Sequence, residues 1–330
     1  MVEIRFGEHT VLLNEGESVL DGCLRNGLHI PHGCKSGACQ SCMLIADEGN
    51  IPVTAQKGLK NTEKDLRYFL SCQCIPQNTL HIRQANQMQD IQHSRVLAHG
   101  LINKTVLQLR LEPVFTYKPG QYLNIWQKVD NEKTECVRSY SIASVPEIDD
   151  FIELHIKIID SGKFSQWAKN HLRIGDTLQL QGPLGQCFYA AENPEQPLLL
   201  IGVGTGLAPL IGIARDALQK GHSGKIDLIH AAREAHSFYL QNELGNLVRD
   251  YPQFNITYVC QADDQTAASA SPYRVNGDVY AYVKQHFPST KGMKVYVCGA
   301  ASFVRKISKQ VFLSGASSRD IHADSFLPCS

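Results

Sequence analysis

Residues 33–42 read Gly33-Cys34-Lys35-Ser36-Gly37-Ala38-Cys39-Gln40-Ser41-Cys42, and Cys72 follows after a further 29 residues. A C-x4-C-x2-C step with one distant cysteine is the spacing of a plant-type [2Fe–2S] site. Four thiolates hold two irons and two sulfides, so one tight loop must supply three ligands. Cys34, Cys39 and Cys42 are those three, and Cys72 is the fourth. Gly33 and Gly37 suit a chain that curves round a cluster with positive φ and brings amides close to sulfur. Structural zinc usually takes two C-x2-C-type pairs and fits the x4 step poorly. Cys74 is an alternative fourth ligand; spacing favours Cys72 and leaves Cys74 as a core neighbour. The isolated cysteines Cys23, Cys136, Cys187, Cys260 and Cys329 are read as small buried hydrophobes.

Around this loop, residues 1–85 read as a compact α+β unit. Val2–Phe6 and Thr10–Leu13 alternate like strands, Ser18 caps a helix over residues 19–25 that ends near Gly27, and Met43–Ala46 and Thr79–Arg83 are further strands. Residues 86–94 are polar and read as a linker. From 95 to 192 strand patterns dominate, at residues 95–98, 105–110, 121–125, 151–157 and 177–180, and an antiparallel barrel is their natural closure. From 193 to 330 apolar strands at 198–201, 226–230, 256–259 and 294–297 alternate with helical segments, the rhythm of a doubly wound parallel sheet.

The 330 residues carry 32 basic and 32 acidic side chains, so no global field draws the chain to nucleic acid or to an anionic membrane. Residues 1–85 hold 8 Lys/Arg and 9 Asp/Glu, so docking of a partner rests on local patches. Met1-Val2-Glu3-Ile4-Arg5 shows no basic flank leading into a long apolar stretch, so a secretory signal is not expected. The uncharged run between Glu195 and Arg215 is broken by Gly202, Gly204, Gly206 and Pro209, which suits strand–loop–helix and not a membrane span. Eleven cysteines, four of them in one spaced set, fit a cytoplasmic chain with reduced thiols. A monomer is expected.

Arg138-Ser139-Tyr140-Ser141, read as lying just after a strand, resembles the R-x-Y-S flavin motif of the ferredoxin–NADP reductase family. The resemblance implies a six-stranded FAD-binding barrel in which Arg138 pairs with the pyrophosphate, Tyr140 stacks on the isoalloxazine, and Ser139 and Ser141 lie beside it, Ser141 near N5. Gly162-Lys163-Phe164-Ser165, read as opening a helix at Gln166, resembles the family's second pyrophosphate site; a plain helix cap by Ser165 is the alternative. His155 and Lys157 on the preceding strand are candidate flavin contacts or barrel-surface residues.

Gly202-Val203-Gly204-Thr205-Gly206-Leu207-Ala208-Pro209 follows an apolar strand and resembles the family's G-x-G-x-G-x-x-P. Gly204, Thr205, Gly206 and Pro209 would then shape the NAD(P)H pyrophosphate site. Cys298-Gly299 resembles the C-G pair beside the nicotinamide, with Cys298 helping to orient it. The usual C-G-P-x-x-M continuation reads Cys298-Gly299-Ala300-Ala301-Ser302-Phe303 here. Phe326 is the candidate aromatic cover of the flavin. Arg233 suits a 2′-phosphate, but Asp263-Asp264 would repel one, so NADH is favoured, with NADPH the alternative.

A nicotinamide gives up two electrons as hydride and a cluster accepts one, so a flavin between them is the converter. The order of the three modules resembles reductase components of multicomponent oxygenases, among them those of toluene, phenol, methane and benzoate oxygenation and of carbazole dioxygenase. The resemblance implies an N-terminal β-grasp ferredoxin domain and an NAD(P)H:acceptor oxidoreductase, with Tyr140, Ser141 and Cys298 at the reacting centre and an oxygenase or ferredoxin as redox partner. Deoxysugar-pathway reductases share this architecture. So does a subunit of sodium-pumping quinone reductase, which carries an N-terminal membrane helix that we do not expect here. A non-enzymatic redox sensor is the remaining alternative, and the full flavin and nicotinamide set argues against it.

Overall fold

A computed structural model describes residues 2–32, 35–37, 40, 42–84, 91–128, 135–190, 193–262 and 272–326. The chain divides into two compact units, residues 1–89 and 90–330.

The first unit holds strands β1 (Val2–Phe6), β2 (His9–Leu13), β3 (Met43–Glu48), β4 (Tyr68–Leu70) and β5 (Leu80–Gln84), with helices α1 (Val19–Arg25) and α2 (Asn61–Asp65). They form one mixed sheet in the order β2-β1-β5-β3-β4, with β1 parallel to β5 and the other pairs antiparallel. This is the β-grasp pattern. Ser18 caps α1 by accepting from the Asp21 amide at 3.1 Å, as its position predicts. Ile4, Val11, Leu20, Cys23, Phe69, Cys74 and Leu80 are buried in one core. Cys74 is therefore a core residue, and burial pushes its thiol up to about 12.

The second unit begins with a barrel of six antiparallel strands: β6 (Gln92–Asn103), β7 (Val106–Leu111), β8 (Tyr122–Lys128), β9 (Glu135–Ser141), β10 (Ile152–Lys157) and β11 (Thr177–Leu184). Their order is β10-β7-β6-β11-β8-β9, and a bridge between Ile142 and Leu154 brings the β9 end back to β10. β6 starts inside the stretch read as linker, because Gln92, His93 and Ser94 pair with Leu180, Gln179 and Leu178 on β11. The R-x-Y-S tetrapeptide lies on β9 itself, a strand that polar residues hide from an alternation count. Helix α3 (Lys163–Asn170) opens three residues earlier than expected and seats Phe164 and Ala168 in the barrel core.

The rest is a sheet of six parallel strands, β12 (Leu198–Val203), β13 (Ile226–Ala232), β14 (Phe254–Cys260), β15 (Arg274–Asn276), β16 (Lys294–Ala300) and β17 (Ile321–Phe326), in the order β15-β14-β13-β12-β16-β17. Side chains alternate across it. Leu198 and Leu200 pack with α4 (Leu207–Gln219) and α5 (Gln241–Asp250), while Leu199 and Ile201 pack with α6 (Val279–His286) and α7 (Ala301–Leu313). Two edge strands, β15 and β17, went unread in the sequence. The strand order reverses between β12 and β16, and a crevice at the carboxyl ends of those two strands is where such sheets bind ligands.

Helix α4 leans on the barrel through two glycines. A β-carbon on Gly212 would stand 3.0 Å from the Ala143 carbonyl oxygen, and one on Gly120 (φ +94°) would stand 2.4 Å from that of Cys187 and 2.7 Å from Ile213. Asp149 and Arg215 clamp the same contact in a bidentate pair at 2.8 and 2.9 Å.

Candidate functional site

Where the strand order reverses, the chain makes the tight turn Gly204–Gly206 between β12 and α4. Gly204 has φ +57°, which favours glycine. Gly206 has no room for a side chain: a β-carbon would lie 2.2 Å from the Cys298 carbonyl oxygen and 2.6 Å from its carbon. Gly299, at φ +137°, would likewise drive a β-carbon into Val203 at 2.6 Å. Backbone therefore meets backbone between the β12–α4 turn and the end of β16, leaving a cradle of amides at a helix start, the kind of surface that takes a pyrophosphate. Pro209 stands in the first turn of α4, where its missing N–H costs no hydrogen bond. Thr205 sits in the turn, and Arg233 lies exposed just past the end of β13. Asp263 and Asp264 lie outside the described residues.

Cys298 is fully buried, with its sulfur 3.8 Å from that of Cys187. Burial and then the Cys187 thiol push Cys298 well above the ordinary thiol range, while the Asp324 amide pulls the other way. Cys298 is thus a neutral thiol and not a nucleophile. Cys187 and Cys260 are buried, as is Cys23, as expected.

The flavin motif faces this point from the barrel. On β9, Ser139 and Ser141 point one way and Arg138 and Tyr140 the other. Ser139 donates to Asn124 Oδ1 at 2.6 Å, and Asn124 donates to Gln181 at 3.1 Å, so a polar row crosses β9, β8 and β11. Ser141 donates to Asp324 Oδ2 on β17 at 2.7 Å. Burial raises the Asp324 carboxyl, Ser141 lowers it, and the net shift is upward. Asp324 also adds to the rise of the Tyr122 hydroxyl, which burial begins. Ser141, Cys298 and Asp324 thereby converge from three strands. Arg138 rests one guanidinium nitrogen on the Val137 carbonyl at 2.8 Å, and Tyr140 packs on Phe164 with centroids 5.5 Å apart.

Phe164 is buried in the barrel core and Ser165 is buried too, so the stretch from Gly162 to Ser165 offers a ligand its backbone and the exposed Lys163 side chain. Its amides open α3 and have no intrahelical acceptor. Ser165 does not cap that helix; its hydroxyl bonds back to the 159–162 turn, accepting from the Ile159 amide at 3.2 Å. His155 corrects an expectation. Its side chain is 0% exposed, and both ring nitrogens are engaged, on Glu153 and Tyr239, so it offers no free nitrogen to a flavin. Lys157 is exposed on β10, and Phe326 ends β17 opposite Ala300, half-buried.

In the first unit, the cysteine loop shows the backbone a cluster requires. Gly37 (φ +81°), Lys35 (φ 51°) and Gln40 (φ 58°) are all left-handed. Cys42 is 2% exposed, and burial raises its thiol while the Cys72 amide donates to its sulfur and opposes the rise. Gln73, beside Cys72, donates to the Lys35 carbonyl at 3.1 Å and packs on Gly37, where a β-carbon would stand 3.1 Å from its Cγ. The loop and the Cys72 turn are thus buckled together, and the donor set fits a [2Fe–2S] cluster. Cys34 and Cys39 lie outside the described residues.

Comparison with known proteins agrees with each module. Residues 4–77 match the 2Fe-2S iron-sulfur cluster binding domain, 98–189 the oxidoreductase FAD-binding domain and 200–309 the oxidoreductase NAD-binding domain. The propane 2-monooxygenase reductase component of Mycolicibacterium goodii is 30% identical, over 88% of this chain and 87% of the relative. This chain belongs to the ferredoxin–NADP reductase family, in the branch with an N-terminal [2Fe–2S] domain. The reductase is also 27% identical to the ferredoxin–NAD(P)(+) reductase component of the naphthalene 1,2-dioxygenase system of Pseudomonas putida, over 95% of this chain and 94% of that one. Its fold matches an Amycolatopsis cytochrome P450 reductase with a TM-score of 0.67, 26% identity and full coverage of both chains. The ferredoxin reductase in carbazole 1,9a-dioxygenase matches in fold with a TM-score of 0.63 at 22% identity, covering 99% of this chain and 98% of that one.

The reductase is thus an oxidoreductase with cluster, FAD and NAD domains in one chain. No helix among the described residues is long and apolar enough to cross a membrane. Sequence reasoning missed Asp324, Asn124 and Gln73. Asp324 alone had a signal: an acid flanked by Ala323 and Ser325 at the end of a segment that also holds the aromatic candidate.

Proposed function

We propose that the reductase takes hydride from NADH and passes single electrons to its [2Fe–2S] cluster and on to the oxygenase component of a multicomponent system. The observation that carries this reading is the convergence of Ser141, Cys298 and Asp324 beside a glycine turn that has no room for a β-carbon at Gly206. Bound FAD supplies the conversion between a hydride pair and single electrons.

The chain's own residues would bind and orient. Amides of the Gly204–Gly206 turn and the start of α4 hold the dinucleotide pyrophosphate, and Arg138 with the first amides of α3 holds that of FAD. Cys298 gives the nicotinamide a neutral, water-free contact. Asp324 Oδ2 accepts the Ser141 hydroxyl proton, so Ser141 Oγ keeps a fixed orientation toward the flavin and its proton stays on a defined atom. Tyr140, Gly299 and Phe326 complete the walls. Cys34, Cys39, Cys42 and Cys72 hold the cluster. No general acid–base pair is needed, because distance and alignment govern hydride transfer.

NADH is the proposed donor, the chain acts as a cytoplasmic monomer, and the final acceptor is an oxygenase or its ferredoxin. In the test, purified holoprotein is brown-orange, contains FAD, and reduces cytochrome c with NADH at a kcat/KM well above that with NADPH. A colourless protein that binds zinc tightly and lacks flavin would end this reading.

A further inference from the structure

His155 is tied into a buried chain of contacts that runs from the barrel to the glycine turn. Arg110 Nε on β7 donates to Glu153 Oε2 at 2.8 Å, and His155 Nε2 stands 2.9 Å from Glu153 Oε1. Burial pushes the Glu153 carboxyl up, but His155 and Arg110 outweigh it and hold it at about 2. Glu153 is therefore ionised and can only accept, so His155 Nε2 carries a proton and donates to it. The other ring nitrogen, Nδ1, is hydrogen-bonded to the Tyr239 hydroxyl at 3.2 Å.

Tyr239 belongs to the other half of the unit, in the loop between β13 and α5, and is 3% exposed. Its ring meets His155 edge-on at 5.3 Å on one side and His230 edge-on at 5.6 Å on the other. His230, fully buried on β13, is held neutral by burial, which drops it to about 4. Its Nε2–H donates to the Gly204 carbonyl at 3.0 Å. Gly204 is the left-handed residue that begins the dinucleotide turn. Asn103 on β6 adds a second tie, donating to the Ser237 carbonyl in the same loop at 3.4 Å.

We infer that Tyr239 and His155 are positioning residues: their hydrogen bond joins the flavin barrel to the glycine turn and sets the separation across which hydride passes. The inference rests on the hydride-transfer reading above. The joint lies inside the protein, with neither ring turned toward a ligand surface, so it acts through His230 and Gly204. A distance-governed transfer responds to sub-ångström changes at such a joint.

Tyr239→Phe removes one hydroxyl from a ring that stays buried. In the holoenzyme, stopped-flow reduction of FAD by NADH is expected to slow about fivefold, one net hydrogen bond's worth. The isotope effect with 4-deuterated NADH becomes more temperature-dependent. In flavin-stripped protein, deuterium exchange rises at both ends of the joint, in residues 202–207 and 153–157, and stays unchanged in residues 2–84. His155→Phe breaks the same bond from the opposite end and gives the same pattern, and the double variant adds nothing further. If one variant misfolds, the other decides. Unchanged exchange and an unchanged isotope effect in a folded variant overturn the joint while leaving the electron-transfer reading intact. A wild-type protein whose flavin NADH does not reduce sinks that reading instead, and the exchange data still judge the joint.

Discussion

Gly206→Ala tests the proposed hydride path at its tightest point. The added β-carbon would lie 2.2 Å from the Cys298 carbonyl oxygen, against the 3.0 Å that real β-carbons essentially never breach. The obstacle is backbone on β16, which cannot rotate away, so the turn and the strand end must part by about 0.8 Å, the difference between those two distances. A misplacement near 1 Å costs on the order of 10²-fold in rate, about 2.7 kcal/mol in the barrier. Overpacking of this kind also costs about 1–3 kcal/mol of stability. The assay is anaerobic stopped-flow reduction of FAD at saturating NADH, with a thermal melt of the same sample. Gly245→Ala is the control: Gly245 lies in α5, and a β-carbon there meets nothing within 4 Å. It should leave the rate alone and raise stability by up to about 1 kcal/mol. Gly206→Ala reducing flavin within twofold of wild type would refute the placement of the nicotinamide against this cradle.

Two further outcomes are expected. Cys72→Ser abolishes the paramagnetic signal of the reduced cluster yet leaves NADH–ferricyanide activity, because the FAD and NAD domains lie wholly in the second unit; simultaneous loss of both would mean the units are not separable. Glu153, held at about 2 instead of 4.5, contributes on the order of 3 kcal/mol at neutral pH. Its folded value is depressed, so this stability is present above about pH 4.5 and disappears as pH falls toward 2. In chemical denaturation, Glu153→Gln should be less stable than wild type at pH 7, with the gap closing on acidification; a gap independent of pH contradicts the ionised network.

Motifs that depend on local spacing were legible. The cysteine set, the glycine turn and Cys298-Gly299 each need particular residue types at short intervals, because the backbone must turn left-handed or approach closely there. Strands carrying few apolar residues were not. β9 carries Ser139 and Ser141 on one face and Arg138 on the other, so polar residues break its apolar alternation and its role shows only when β8 pairs with it. β15 and β17 are edge strands whose pairing is set by the parallel sheet and not by their own composition. Asp324 escaped for the same reason: its meaning comes from Ser141, 183 residues away. His155 was misread because a histidine on a strand near a motif gives no sign of which groups will enclose it. Tyr239, 84 residues further on, decides that.

The glycine contacts between α4 and the barrel have an engineering consequence. Because Gly120 and Gly212 bring α4 so close to the barrel, neither position has room for a larger side chain, and the Asp149–Arg215 pair needs a residue from each half. A chimera that exchanges nicotinamide modules between relatives, for instance to change coenzyme preference, should carry residues 118–121 and 142–149 across with the transplanted half. A graft cut at residue 193 alone would set two unmatched surfaces against each other along this seam.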